Sequence, residues 1–88
     1  MKKKLTAEQR ARRKIILGIV KTQIKENNPP ETAQTLDRLM NEGYSRSDAL
    51  ELIALIVASE IFDIMKQQQP FDRKRFVSRL KDLPALPE

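Results

Sequence analysis

Apolar residues recur at helical spacing in four stretches of the chain, separated by short polar or proline-bearing breaks. In the first stretch Ile16, Val20 and Ile24 share one stripe, with Leu17 beside it. Thr6-Ala7-Glu8-Gln9 opens this helix as a capping box: the threonine hydroxyl accepts from one free N–H and the glutamine side chain reaches back. Asn27-Asn28-Pro29-Pro30 ends it. The second stretch places Ala33, Leu36, Leu39 and Met40 on a buried stripe and stops at Gly43. Asn28 is its candidate cap, with Pro29 first inside and Glu31 at the capping-box position, and because Pro30 disfavours helical geometry at Pro29 a start one residue later is the alternative. The third stretch opens at Ser45 and runs to about Lys66. In the fourth, Phe71 and Phe76 flank a cap at Asp72 with the spacing of a hydrophobic staple. Phe76, Val77, Leu80 and Leu83 form its inner stripe and Pro84 stops it.

The third helix departs from a simple amphipathic pattern. At 100° per residue, Leu50, Ile53, Ala54, Val57, Ala58, Ile61, Ile64 and Met65 share a broad face. Leu52, Leu55, Ile56 and Phe62 lie on the other side, among Asp48, Glu51, Ser59, Glu60 and Asp63. A helix apolar almost all round has to be covered almost all round. Helices one and four of the same subunit can supply the cover, or a second copy can, which makes Leu52, Leu55, Ile56 and Phe62 the candidate interface. The expected core centres on Ile53, Val57 and Ile61.

These readings predict an all-α chain: a compact four-helix domain over residues 6–83 with a central, mostly apolar third helix. A basic disordered terminus (1–5) precedes it and an extended tail (84–88) follows. Eighty-eight residues suffice for one such domain.

Composition narrows the chemistry. The chain has neither histidine nor cysteine, which removes Ser-His and Cys-His nucleophile pairs, thiolate and imidazole metal ligands, and disulfides. With no Gly-rich phosphate loop, the expectation is a protein without catalytic residues, metal or cofactor. Glu51, Glu60 and Asp63 are read as solvated or interface-rim acids. Tyr44, after the second helix, is expected to pack its ring on neighbouring helices. The longest apolar run, Leu52 to Ala58, is well short of the roughly 20 residues that a bilayer requires. The basic start is followed by charged residues where a signal peptide would be apolar. The expected location is the cytoplasm, with no membrane association.

Charge is uneven. Residues 1–14 carry seven Lys/Arg against one Glu, whereas residues 26–63 carry eight acids against two bases. Lys2, Lys3, Lys4, Arg10, Arg12, Arg13 and Lys14 are therefore the candidate nucleic-acid contacts. With no interleaved aromatic, Gly or Ser, a solvated terminus is the preferred reading of this arm.

Two resemblances follow from longer patterns. Leu36 to Leu50, with Gly43, Ser45-Arg46-Ser47 and flanking helices, resembles the helix–loop–helix portion of ribbon-helix-helix repressors. That likeness implies a strand at Val20-Lys21-Thr22-Gln23-Ile24 entering the major groove of DNA. The fuller resemblance, from about Ile16 to Leu83, is to a small bacterial all-helical family catalogued only as a domain of unknown function. It rests on the Gln23-Ile24 helix end, Pro29-Pro30, the Arg38-Leu39 pair, the loop at Gly43, Ala49 early in a long apolar helix, and a short last helix. Members carry histidines at positions matching Leu17, Ser47 and Glu51. This chain has none, so any metal or catalytic role of those histidines does not carry over. The combined expectation is a non-enzymatic helical interaction module, self-associating as a homodimer, with nucleic-acid binding as the alternative.

Overall fold

The computed structural model describes residues 5–87, and its regular elements are four helices: α1 (Ala7–Glu26), α2 (Pro30–Asn41), α3 (Arg46–Gln67) and α4 (Arg73–Asp82). Their ends follow local chemistry. Thr6 Oγ1 accepts from the Gln9 N–H at 3.1 Å while Gln9 Oε1 accepts from the Thr6 N–H at 2.9 Å, completing the capping box. Asn27 closes α1 in the left-handed conformation. Pro29 is the extended N-cap of α2 with Pro30 its first helical residue, as Pro30's restriction on its predecessor requires. Gly43 turns the chain with φ 107°, a value that glycine adopts without steric cost. Ser45 caps α3 through the Asp48 N–H, and Asp72 caps α4 through the Arg75 N–H. Val20 to Ile24 lies within α1, and the described residues contain no strand. The DNA-entering ribbon implied by the repressor likeness is replaced by helix.

The domain is all-α, with α3 at its centre, packed against α1, α2 and α4. The core joins Val20 of α1, Leu36 and Leu39 of α2, Ala49, Leu50, Ile53, Ala54, Ile56 and Val57 of α3, and Phe76, Leu80 and Leu83 at α4. Tyr44, Ile16, Leu17, Ile24 and Leu52 pack against its edge. Phe71 meets Phe76 with ring centroids 5.6 Å apart, the staple that sets the entry to α4. Residues 1–4 and Glu88 lie outside the described residues. After Leu83, Ala85 N–H donates back to the Asp82 carbonyl, so the tail begins with a turn.

Three packing expectations are corrected. Met40 and Ile61 are exposed, at 41% and 36%. Met40 sits one position past Leu39, beyond the edge of the α2 stripe, and Ile61 sits on the shoulder of the buried arc of α3. Thr32 and Thr35 occupy the α2 interior in Met40's place. Each hydroxyl is satisfied, Thr32 donating to Gln23 Oε1 at 2.9 Å and Thr35 to the Glu31 carbonyl at 2.7 Å. The third is Glu60, buried at 2% exposure rather than solvated.

Candidate functional site: an apolar face on α1 and α3

α1 and α3 run parallel, because their contacts advance together. Arg13 pairs with Glu51, Ile16 lies beside Ala54 and Ala58, and Ile19 and Gln23 lie beside Ile61 and Ile64. Burial on α3 is confined to the arc holding Ala49, Leu50, Ile53, Ala54, Ile56, Val57 and Glu60. Beyond that arc, past the α1 seam, Leu55, Phe62 and Met65 stand 50%, 62% and 73% exposed. On the neighbouring flank of α1, Ile15 and Ile19 are also exposed, and Phe71 stands at the far end of the seam. Together they make a two-helix apolar face on one side of the domain, where the other helices leave α3 uncovered. Isolated surface apolar residues need no explanation, but a grouped set of this size does.

The face has relief. Toward its N-terminal end a groove of about 330 Å³ opens between the helices, floored by Ile16, Ala54 and Ala58 and bordered by Arg12, Arg13, Glu51 and Leu55. The small side chains of Ala54 and Ala58, one turn apart, create the depression. A smaller hollow of about 150 Å³, entered between Ile19, Ile61, Ile64 and Phe71, reaches inward to the buried Val57, Glu60 and Phe76. Phe62 and Met65 project at this second end, with Lys66 Nζ 5.7 Å from the Phe62 ring centroid.

The four candidate interface residues separate. Leu55 and Phe62 belong to the exposed face, and Leu52 is partly buried against the core. Ile56 is fully enclosed within the subunit, which corrects its expected place on a partner surface. It shares the buried arc with Ile53 and Glu60, a side that α2 and α4 cover. Of the basic arm, Lys2, Lys3 and Lys4 lie outside the described residues. Arg10 Nη1 donates to the Leu5 carbonyl at 2.7 Å and Arg13 is engaged with Glu51. Arg12 and Lys14 are exposed, Arg12 on the rim of the groove. The described cations of the arm, Arg10 to Lys14, thus lie in the first turns of α1, and two of them are used within the subunit.

A second polar cluster lies on the opposite flank of α3. Glu60 Oε1 accepts from Arg75 Nη2 at 2.6 Å and Nε at 3.1 Å, while Oε2 accepts from Arg79 Nη1 at 3.1 Å. Arg79 also pairs with Asp63 at 2.8 Å. Hydrogen bonding to Glu60 holds the Arg75 guanidinium above its usual pKa, and the charges of Glu60, Asp63 and Asp72 add to it. A base raised in the folded state contributes stability that is lost only as pH climbs through that pKa, so the contribution of the Arg75 shift does not change near neutrality. The cluster locks α4 to α3. Its signal in the sequence was Glu60 falling on the stripe of Ile53 and Ile56, opposite arginines spaced one turn apart.

No group of three or more acidic side chains is placed to hold a metal ion among the described residues, and no helix there is long and apolar enough to cross a membrane. What fold and face define is an all-helical domain with one uncovered apolar side. No family model, curated protein or solved structure matches the chain.

Proposed function

We propose that the chain is a non-enzymatic helical interaction module of the cytoplasm that self-associates as a homodimer through the α1–α3 face. The observation that carries this reading is the grouping of Leu55, Phe62, Met65, Ile15 and Ile19 on one side of the domain in exposed positions. Each Å² of such surface left in water forgoes about 25 cal/mol of burial. A symmetric contact removes the same patch from both copies at once, and two-fold dimers are the commonest form of such assembly. The test is sedimentation of the parent chain and of Phe62→Glu at micromolar concentration. The parent sediments at twice 10.2 kDa. Phe62→Glu leaves the helix intact, because the new carboxylate sits one turn before Lys66, and it sediments as a folded single subunit. A parent species of 10.2 kDa throughout would sink the reading.

A further inference from the structure

Resting on that reading, we infer that the two copies pair antiparallel, α1 on α1 and α3 on α3, about a two-fold axis that crosses the face at the level of Ile19 and Ala58. The first argument is shape. On its α3 half the face is hollow toward one end, over Ala54 and Ala58, and raised at the other, at Phe62 and Met65, while a hollow on α1 between Ile15, Gly18, Ile19 and Glu26 spans the level of the axis. Reversing one copy end for end sets each raised end over the partner copy's groove. A parallel pairing, α1 on α3, sets hollow over hollow and bulk against bulk.

The second argument is charge, and it agrees in register. Arg12 and Glu26 border the face on α1 and lie equally far on either side of Ile19. They are about 21 Å apart at 1.5 Å per residue. Among the described residues neither has an ion-pair partner within the subunit. On α3 the order is reversed: Glu51, already held by Arg13, borders the groove end and Lys66 the raised end. Their separation is about 22 Å by the same rise. Because α1 and α3 are parallel and in step, one axis brings Arg12 to the second copy's Glu26 and Glu51 to its Lys66. The same axis sets Leu55 against Phe62. Such rim pairs fix orientation and register more than they add affinity.

The chain contains no cysteine, so single cysteines report the geometry directly. At concentrations where the parent sediments as a dimer, oxidised Ala58→Cys forms a covalent dimer, because Cα atoms within about 4.4–6.8 Å are bridgeable and this position sits at the axis. Mixing Leu55→Cys with Phe62→Cys yields the mixed dimer in preference to either like pair. Arg12→Glu alone removes both symmetry-related pairs and raises the dissociation constant up to about thirtyfold, and Arg12→Glu with Glu26→Arg restores it. A dimer in which Ala58→Cys stays uncrosslinked, or in which Ile19→Cys instead bridges to Ala58→Cys, overturns the antiparallel arrangement and leaves self-association standing. A parent of single-subunit mass overturns self-association itself. Thermal melts of each variant confirm that the subunit is folded when it is assayed.

Discussion

Glu60 on α3 and Arg75 on α4 meet through two guanidinium nitrogens at 2.6 and 3.1 Å, with the carboxylate almost wholly buried and the arginine side chain about a quarter exposed. The geometry lets the long arginine reach in from the surface, keeping part of its hydration, to satisfy an acid that α3 delivers to the interior. Arg79 takes the second oxygen, so the carboxylate has two cationic partners and each arginine has a further acid nearby, Asp72 or Asp63.

The two sides of this cluster therefore differ in consequence. Glu60→Ala leaves two guanidinium groups turned toward an emptied site and costs about 2–4 kcal/mol, less than a fully buried pair because both arginines retain solvent contact. Arg75→Ala costs less than that, since Arg79 continues to neutralise Glu60. Urea denaturation of the two variants orders them, and equal midpoints would show that the acid is not held as described.

Ile53 and Ile61 also part company, although helical periodicity places both on the broad face of α3. Ile53 is fully buried and its truncation to Ala costs about 2–5 kcal/mol. Ile61, 36% exposed beside the α1 seam, costs about 1 kcal/mol or less on the same change within the folded subunit. Denaturation measured on a monomeric background such as Phe62→Glu checks the difference without the contribution of association.

That difference marks how far the pattern of residues could be read. Thr6, Ser45 and Asp72 announced their caps, Pro29-Pro30 and Gly43 announced the breaks, and the stripes named Val20, Leu36, Leu39, Ile53, Val57, Phe76 and Leu80 as core, because each of these is a local property of the chain. Which shoulder of α3 stays wet is not local. It depends on where α1 and α4 come to rest, so periodicity alone turns Ile61 inward and Ile56 outward, whereas packing leaves Ile61 partly exposed and encloses Ile56. Leu55 and Phe62 were legible as anomalies among charges, but Met65, Ile15 and Ile19 joined them only once α1 was seen to run parallel to α3. The burial of Glu60 was hidden because an acid is ordinarily assigned to solvent, even on an apolar stripe.

Gly18 offers a stabilising change. It lies within α1, and a Cβ built there meets nothing within 4 Å. Gly18→Ala raises stability by about 0.5–1 kcal/mol by removing the conformational freedom that glycine gives the unfolded chain. A rise of several degrees in the melting midpoint is expected for a domain of this size.

Arg38 joins α2 to the end of α4. Its guanidinium donates to the Leu80 carbonyl at 3.1 Å and pairs with Glu42 at 2.7 Å. The Leu80 carbonyl also accepts from the Leu83 N–H at 3.2 Å, so Arg38 adds a second, charged donor at the helix end, where a cation suits the helix dipole. Arg38→Ala costs about 1–2 kcal/mol, concentrated in α4. Amide exchange in the last turn of α4 quickens more than in α1, and a uniform change across the helices would contradict this assignment.

Leu55 and Ile56 are sequence neighbours 100° apart on α3, and the same substitution at each separates a partner surface from a core. Leu55 is half exposed at the rim of the groove, so a lysine there extends into water along its aliphatic stem and leaves the packing of the subunit undisturbed. Its cost appears where a second copy approaches, since a charge would be desolvated against apolar groups with no acid opposite. Leu55→Lys is thus a helical, cooperatively melting single subunit. Ile56 is fully enclosed, and a lysine there loses the packing of a large side chain and carries an ammonium into the interior. Against total stabilities of about 5–15 kcal/mol, that is enough to unfold a domain this small. Circular dichroism and sedimentation of the two variants side by side read both effects. A folded monomer at Leu55→Lys with loss of helix at Ile56→Lys supports the division. Loss of helix at Leu55→Lys would place that residue in the core, and an unchanged dimer would remove it from the interface.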